Sequence, residues 1–344
     1  LLVIPRPWST TTTSQDAPQP APIRAPTEAD MTKTFGSLLP QATYLTTPQG
    51  RAAYYDYPPT TSTNTTTTAP SSSSPDHHAA PLRILMIHGI QTPALGLQPL
   101  ATDLRSRFPT AHIALLDLWG HGLTDTPLSP HVPSLFYSLL DAVLAALGWQ
   151  SSGTSSSKVH LVGYSFGGSL AAGYAALRPE AVASVSFIAP AGLMWRSALF
   201  SEEAQTRHEL AVSSSSSTLD LVLEFLEGGK LVVPDDWRER VGKGEVVAEA
   251  VRDWEMKTHA GHAGSVVAIF RDGAVFDNHA AYRAAVEAVG VDRCLGVVGE
   301  LDEVCSRQDL LDVGFSNVAV VPQAGHAVVR QRVPDVATLI EEFW

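Results

Sequence analysis

The 344-residue sequence predicts an α/β fold, in which helices cover both faces of a mostly parallel sheet. Two observations lead to this prediction. Short apolar runs with the length of buried strands alternate with segments whose apolar residues recur every three or four positions, as on one helix face. Polar residues suited to catalysis follow directly after several of these runs. Strands that alternate with helices form mostly parallel sheets wrapped on both faces.

The first strands of this sheet are predicted from residues 42–116. Residues 42–46 and 51–55 flank the turn sequence Pro48-Gln49-Gly50 and predict a hairpin that opens the sheet. Residues 82–87 and 113–116 are apolar and predict two buried strands. The hairpin would therefore form one side of the sheet.

Two helices are predicted behind these strands. Apolar residues between 132 and 147 recur at three- and four-residue steps and give one apolar face. Residues 166–177 are rich in Gly and Ala, which allows a helix to approach the sheet closely.

Four segments are predicted to lie outside the packed core. Residues 1–37 are rich in Pro, Thr and Ala without periodicity, which indicates disorder before a folded domain at 38–344. A polar tract at 58–80 is a low-complexity insertion. Serine runs at 151–157 and 213–217 indicate solvated loops.

The most informative motif is Gly163-Tyr164-Ser165-Phe166-Gly167. It follows the apolar run 159–162 and precedes the predicted helix at 166–177. Strand, sharp turn and helix are the context in which G-x-S-x-G presents a nucleophile, and the glycines avoid collision with the strand and the helix. Ser165 is therefore the predicted nucleophile, with an ordinary helix N-cap as the alternative.

A nucleophilic serine needs a base and an orienting acid, which follow in the order Ser, Asp or Glu, His in this architecture. Asp302 comes after the apolar strand 294–299, and His326 comes after the strand 318–322. Both lie past the carboxyl ends of strands, the edge where α/β sheets carry their sites. We expect His326 to take the proton of Ser165 and Asp302 to orient His326.

Two further carboxylates compete for the role of the acid. Leu301 is expected to pack inward, so that Glu300 points away from it in extended backbone. Glu303 has a longer and more flexible side chain. Asp302 is preferred because it is the first carboxylate past the strand on a loop able to turn toward His326.

The oxyanion hole is predicted from the backbone N–H groups of Ile90 and Phe166. In this architecture the loop after an early strand supplies one donor, and the residue after the nucleophile supplies the other. Gly89 would let the main chain approach the substrate oxygen. His88 is interpreted as a structural loop residue.

Together these segments resemble the α/β-hydrolase superfamily, in the branch with serine aminopeptidases, monoglyceride lipases and carbon–carbon bond hydrolases. The matching segments are His88-Gly89, the Asp117–Asp125 loop, Gly163 to Gly168, Gly299-Glu300-Leu301-Asp302 and Gly325-His326. The resemblance covers roughly residues 40–344. It implies the fold and the triad, but it says little about the substrate. Asp117 and Asp125 are interpreted as turn and hydrogen-bonding residues.

The resemblance also implies that the largely helical residues 193–282 form a cap over the nucleophile. Trp195, Trp237 and Trp254 are candidates to line an apolar acyl pocket, with packing between cap and core as the alternative. His259 and His262 are three residues apart but have no third ligand nearby in sequence, so no metal site is predicted.

Charge and cysteine content narrow the classes of function. The net charge of −12 argues against binding to nucleic acid or to anionic membranes. No run of about 18 apolar residues is present in the sequence, so no membrane span is predicted. The two cysteines, Cys294 and Cys305, flank one predicted strand, which would hold them apart. No disulfide framework is therefore predicted, and this favours a reducing compartment and a cytoplasmic location.

The sequence thus predicts a serine hydrolase, without metal or cofactor, that acts on a small molecule. The expected substrate is a carboxylic ester or lactone of modest size and apolar character. Two alternatives within enzymes are a carbon–carbon bond hydrolase and a proline-type aminopeptidase, whose cap carboxylates would be Glu202, Glu203, Glu224 or Glu227. A non-catalytic binding protein is the remaining alternative.

Overall fold

A computed structural model describes residue 4 and residues 20–60, 82–150, 158–199, 216–227 and 230–344. Most of the tract at 58–80, all of the serine run 151–157 and most of the run 213–217 lie outside these residues.

The centre of the fold is an eight-stranded sheet. Its strands are β1 (Ala42–Thr47), β2 (Gly50–Tyr57), β3 (Arg83–Ile87), β4 (His112–Leu116), β5 (Val159–Tyr164), β6 (Val182–Ile188), β7 (Cys294–Gly299) and β8 (Asn317–Val321). They lie in the order β1-β2-β4-β3-β5-β6-β7-β8. The pairs β1–β2 and β2–β4 are antiparallel, and the other neighbouring pairs are parallel. This confirms the predicted fold class and the opening hairpin.

Helices surround this sheet. The α-helices of the described residues are α1 (Glu28–Phe35), α2 (Gln98–Arg107), α3 (Pro133–Ala146), α4 (Phe166–Leu177), α5 (Arg196–Leu199), α6 (Ser216–Glu227), α7 (Trp237–Gly242), α8 (Ala248–Thr258), α9 (His262–Asp272), α10 (His279–Val289), α11 (Arg307–Asp312), α12 (Val328–Gln331) and α13 (Val333–Phe343).

The central strand β3 shows how the sheet divides the core. Leu85 and Ile87 face the layer that contains α3, α4 and α10. Ile84 and Met86 face the opposite layer with α2, α12 and α13. All four side chains are fully buried. Since successive side chains of a strand point to opposite faces, one apolar run supplies both layers.

The N-terminal segment departs from the predicted disorder. Residues 20–37 are ordered, and they include α1, which begins with a capping box between Thr27 and Asp30. Met31 and Phe35 of this helix are buried. The composition predicted disorder because these two apolar residues, among many Pro and Thr residues, do not form a periodic pattern. Their contacts with the rest of the chain stabilise the segment.

The described helices of the insertion after β6 are α5 to α9. The next helix, α10, lies against α4, and Tyr282 donates a hydrogen bond to the carbonyl of Ala191 at 2.6 Å. The predicted insertion boundary at residue 282 therefore falls within a helix that packs on the core layer.

Two further properties concern the part of the chain that the structure describes. No helix in the described ranges has the length and hydropathy needed to cross a membrane. Cys294 and Cys305 are both buried and free.

Candidate active site

Ser165 occupies a strained turn between β5 and α4. Its backbone has φ 52° and ψ −119°, in the positive-φ region that residues other than glycine rarely adopt. Its N–H donates to the carbonyl of Ile188 at 3.1 Å, and its carbonyl accepts from the N–H groups of Gly168 and Ala191, each at 2.9 Å. The ends of β6 and α4 therefore hold the turn in place.

The flanking glycines are required by close backbone contacts. A Cβ at Gly163 would lie 2.5 Å from the carbonyl oxygen of Gly167. A Cβ at Gly167 would lie 2.1 Å from the carbonyl oxygen of Ile87. Both distances are far below van der Waals contact with backbone atoms that have little room to move.

Ser165, His326 and Asp302 form one hydrogen-bonded line. Ser165 Oγ lies 3.0 Å from His326 Nε2, and His326 Nδ1 lies 3.1 and 3.2 Å from the two carboxylate oxygens of Asp302. The Asp302 side chain is fully buried, whereas that of His326 is 30% exposed. In this arrangement Nδ1–H donates to Asp302 and leaves Nε2 to accept from the Ser165 hydroxyl.

The loops after β7 and β8 are joined by hydrogen bonds that bring Asp302 and His326 together. The N–H of Leu301 donates to the carbonyl of Ala324 at 2.8 Å. A Cβ at Gly299 would lie 2.3 Å from the same carbonyl oxygen. Glycine at the end of β7 is thus what permits this close approach.

The competing carboxylates are occupied elsewhere or exposed. Glu300 accepts a hydrogen bond from the N–H of Gln323 at 2.9 Å, and Glu303 is exposed. The expectation for Leu301 was wrong, because its side chain is 65% exposed. Asp302 is oriented instead by hydrogen bonds from the N–H groups of Val304 and Cys305.

The predicted oxyanion donors lie beside the serine. Ile90 and Ser165 line the same cavity, and Phe166 is the first residue of α4. A Cβ at Gly89 would lie 2.8 Å from Ser165 Cβ, so the main chain at Gly89 packs directly against the serine. An N–H in the first turn of a helix has no hydrogen-bond partner within the helix, so it can donate to another group. It lies at the positive end of the helix dipole, which stabilises a developing negative charge.

Buried histidines support the loop that follows β3. His88 Nε2 accepts from the N–H of Leu118 at 2.8 Å, and Nδ1 lies 2.6 Å from the carbonyl of Gly89. His121 Nε2 accepts from the N–H of Gln91 at 3.1 Å. Burial lowers the pKa of His88 to about 4 and lowers that of His121 well below its ordinary value. These neutral rings are structural, as predicted for His88.

Glu255 of α8, in the helical insertion, is a further buried titratable group near these histidines. Its buried carboxylate lies 3.1 Å from Nδ1 of His262. Burial and the nearby Asp117 raise the pKa of Glu255 well above its ordinary value, and burial lowers that of His262 to about 3. Both shifts favour a neutral pair. Asp117 accepts from Tyr55, Ala94 and Leu123, which agrees with its predicted structural role.

A cavity of about 310 Å³ opens at Ser165 and His326. Its other described lining residues are Ile90, Gln91, Thr92, Tyr164, Leu226, Lys230, Leu231, Val232, Glu249, Arg252, Ala327 and Arg330. The apolar residues fit the expected substrate in part, but four charged side chains were not anticipated. They come from the insertion and from α12, and no local pattern links these segments to the serine.

The three tryptophans do not line this cavity in the described residues. Trp237 and Trp254 both pack on Phe35, with ring centroids 6.2 and 5.8 Å away, and line a separate groove beside α1. Trp195 is 55% exposed and stacks on His279 at 3.9 Å. The assignment of these residues to an acyl pocket is therefore corrected: their partners are other aromatic rings, and Phe35 lies in the segment predicted to be disordered.

A family model described as the alpha/beta hydrolase fold matches residues 83–212, which include β3, the Ser165 turn and α4. The eight-stranded, mostly parallel sheet has the same architecture. The chain has the α/β-hydrolase fold. The specific branch is not distinguished by this match.

Three solved structures of this α/β-hydrolase fold extend over nearly the whole chain. A carboxylesterase structure from Nitrososphaera gargenis is 18% identical with a TM-score of 0.58, and the alignment covers 88% of this chain and 97% of that one. The enol-lactonase from Burkholderia xenovorans is 16% identical with a TM-score of 0.58, covering 88% and 99%. A meta-cleavage product hydrolase from Pseudomonas fluorescens is 18% identical with a TM-score of 0.58, covering 89% and 97%. At these identities the likeness shows a shared fold. No curated protein sequence matches the chain.

Proposed function

We propose that this chain is a serine hydrolase that cleaves a carboxylic ester or lactone of modest size through an acyl-enzyme. The observation that carries the proposal is the hydrogen-bonded line from Ser165 through His326 to Asp302, at the mouth of a cavity of about 310 Å³. A nucleophile, a base and an orienting acid in hydrogen-bond contact are the parts that acyl transfer requires.

In the first half of the reaction, Ser165 Oγ attacks the carbonyl carbon while His326 Nε2 takes the hydroxyl proton. Asp302 stabilises the imidazolium that forms. The N–H groups of Ile90 and Phe166 donate to the oxyanion of the tetrahedral intermediate. When the C–O bond to the alcohol breaks, His326 returns the proton to the leaving oxygen.

In the second half, water replaces the alcohol. His326 takes a proton from this water as it attacks the acyl carbon, and the same N–H groups bind the second oxyanion. Collapse of the intermediate breaks the bond to Ser165 Oγ, which regains its proton from His326. For a lactone, the released alcohol and acid remain one molecule.

The size of the cavity supports a small substrate, since about 310 Å³ is at the lower end for ligand sites. Carboxylesterase and enol-lactonase structures share the fold, which is consistent with ester chemistry. A substrate ammonium, as an aminopeptidase requires, would meet Lys230, Arg252 and Arg330 in this cavity, where Glu249 is the carboxylate among the described lining residues. Of the cap carboxylates named for that alternative, Glu224 is exposed, and the side chains of Glu202, Glu203 and Glu227 lie outside the described residues.

The test is a hydrolysis screen over esters, lactones, aminoacyl amides and β-diketones with wild type and Ser165→Ala. We expect turnover of esters or lactones by wild type and loss of that turnover in the variant. A fluorophosphonate probe should label wild type at Ser165 and fail to label Ser165→Ala.

Each other outcome selects an alternative. Turnover of β-diketones alone would favour carbon–carbon bond hydrolysis, and turnover of aminoacyl amides alone would favour an aminopeptidase. Folded protein without turnover or labelling would favour the non-catalytic binding protein.

A further inference from the structure

The cavity at Ser165 has a charge opposite to that of the chain. Lys230, Arg252 and Arg330 line it together with one carboxylate, Glu249. The whole chain carries a net charge of −12. Three cations around one small cavity of an acidic protein are a local concentration that favours an anion there.

Arg330 lies near Ser165 and His326. It lies on α12, four residues after His326, and its guanidinium carbon is 5.4 Å from the ring centroid of Tyr164, the residue before Ser165. The Tyr164 ring in turn lies 5.6 Å from that of His326. The arginine is therefore anchored to the same residues that hold the nucleophile and the base.

Arg330 also has unused hydrogen-bonding capacity. Its Nη1 is buried and has no hydrogen-bond partner among the described residues. A buried donor without an acceptor is unfavourable, because the water lost on burial is not replaced. Arg330 as a whole lines the cavity, and guanidinium groups match the geometry of carboxylates, so an anionic group in the cavity would supply charge that the described partners of this arginine do not.

The other two cations come from the insertion. Arg252 lies on α8, where its Nη2 is 3.7 Å from Glu249, one turn earlier. Lys230 lies between α6 and α7 and is exposed. Glu249 offsets one positive charge, and Lys230 and Arg330 remain as cations among the described lining residues.

We propose that the acyl part of the substrate carries a carboxylate, remote from the scissile carbonyl, that binds to Arg330 with the support of Lys230 and Arg252. This inference rests on the proposed function, and it names the substrate class of that same site. The substrate is accordingly a monoester of a dicarboxylic acid, or a lactone formed by a hydroxylated dicarboxylic acid that keeps one carboxylate free. It differs from the apolar substrate expected from the sequence.

The test compares two esters that differ in one end group. The 4-nitrophenyl monoester of glutaric acid carries the carboxylate, and 4-nitrophenyl pentanoate has a methyl group in its place. We expect wild type to prefer the monoester by at least roughly tenfold in kcat/KM, and Arg330→Gln to lower that ratio by roughly 10- to 100-fold, the scale of one charged hydrogen-bonded contact. Arg330→Lys should retain more of the preference than Arg330→Gln.

The matched control is Arg283→Gln, which removes an exposed arginine of α10 and should leave the preference as in wild type. An equal loss on both esters in Arg330→Gln would mean a structural role and would overturn the inference. A wild type that prefers the pentanoate ester, or turns over both equally, would overturn it as well.

A binding measurement separates this inference from the proposed function. Calorimetry with Ser165→Ala should detect glutarate, and the added Arg330→Gln change should weaken its binding roughly tenfold or more. Binding without any hydrolysis by wild type would reject the proposed function and retain the anion site. Hydrolysis of esters without glutarate binding or monoester preference would retain the proposed function and reject the anion site.

Discussion

The carboxyl group of Glu255 accepts a hydrogen bond from the backbone N–H of Gly122, which lies 2.9 and 3.1 Å from its two oxygens. Glu255 belongs to the helical insertion, and Gly122 belongs to the loop that follows β4. Both groups are buried, so no solvent can replace this contact if it is lost. The insertion is thus attached to the core fold by a polar contact at its base.

We expect Glu255→Ala to lower the free energy of unfolding by about 2–4 kcal/mol, because it leaves the Gly122 N–H unpaired and opens a cavity. Glu255→Gln keeps an acceptor oxygen of similar shape and should cost less than half as much. Urea unfolding measures both. The control is Glu239→Ala, which removes an exposed carboxylate of α7 and should change stability by less than about 0.5 kcal/mol. Equal effects of Gln and Ala would show that the contact with Gly122 contributes little.

The assignment of the acid makes a second prediction. Asp302→Asn should lower kcat by up to roughly 10⁴-fold without loss of the fold, because the amide no longer holds His326 in the required tautomer. Glu300→Gln and Glu303→Gln serve as controls and should each cost less than about tenfold. Steady-state kinetics with an activated ester and a circular dichroism spectrum of each variant provide the measurement. A crippling Glu303→Gln beside a mild Asp302→Asn would contradict the assignment.

A third prediction concerns α1. Phe35 is 2% exposed and packs on both Trp237 and Trp254, so Phe35→Ala should lower the free energy of unfolding by about 3–5 kcal/mol. Deletion of residues 1–37 should lower the melting temperature as well, since it removes Met31 together with Phe35. Lys33→Ala, on the exposed side of the same helix, should have little effect. An unchanged melting temperature after the deletion would restore the sequence-based expectation of a dispensable segment.

The fourth prediction is the pH dependence of stability. Burial lowers the pKa of His88, His131 and His160 from 6.5 to about 4. Between these values the unfolded chain binds more protons than the folded one, so stability falls as the pH drops from about 6.5 toward 4. Asp117, whose pKa burial raises to about 6, and Glu255 act in the opposite direction but are fewer.

Urea midpoints at pH 7.5 and pH 5.0 should therefore show lower stability at pH 5.0, with each such histidine contributing roughly 1–2 kcal/mol. His160→Gln removes one of them, in the strand β5 away from Ser165, and should make the loss smaller. Equal stability at both pH values would mean that the buried carboxyls balance the histidines.

The sequence was sufficient for the features that depend on local order along the chain. Apolar runs predicted the strands, and the G-x-S-x-G motif predicted the position of Ser165 before α4. Asp302 and His326 were found because the carboxyl ends of parallel strands meet at one edge. Leu301 was misjudged because alternation applies to extended backbone, and β7 has already ended at Gly299.

The features that were missed depend on contacts between distant segments. Trp237 and Trp254 are typical pocket residues by type, but their partner is Phe35, about two hundred positions earlier. The cations of the cavity come from the insertion and from α12. Only the packing of these segments against each other brings them together. A single sequence contains no periodic signal for either arrangement.

The strained backbone of Ser165 has a practical consequence. The carbonyl of Ile188 and the N–H groups of Gly168 and Ala191 hold its positive φ, and these partners are in place only when the sheet is assembled. In a denatured chain the same hydroxyl is an ordinary alcohol with no base beside it. A phosphonate that reacts with Ser165 would therefore label only folded molecules. The labelled fraction of the protein would measure the folded fraction, and no attached dye would be needed.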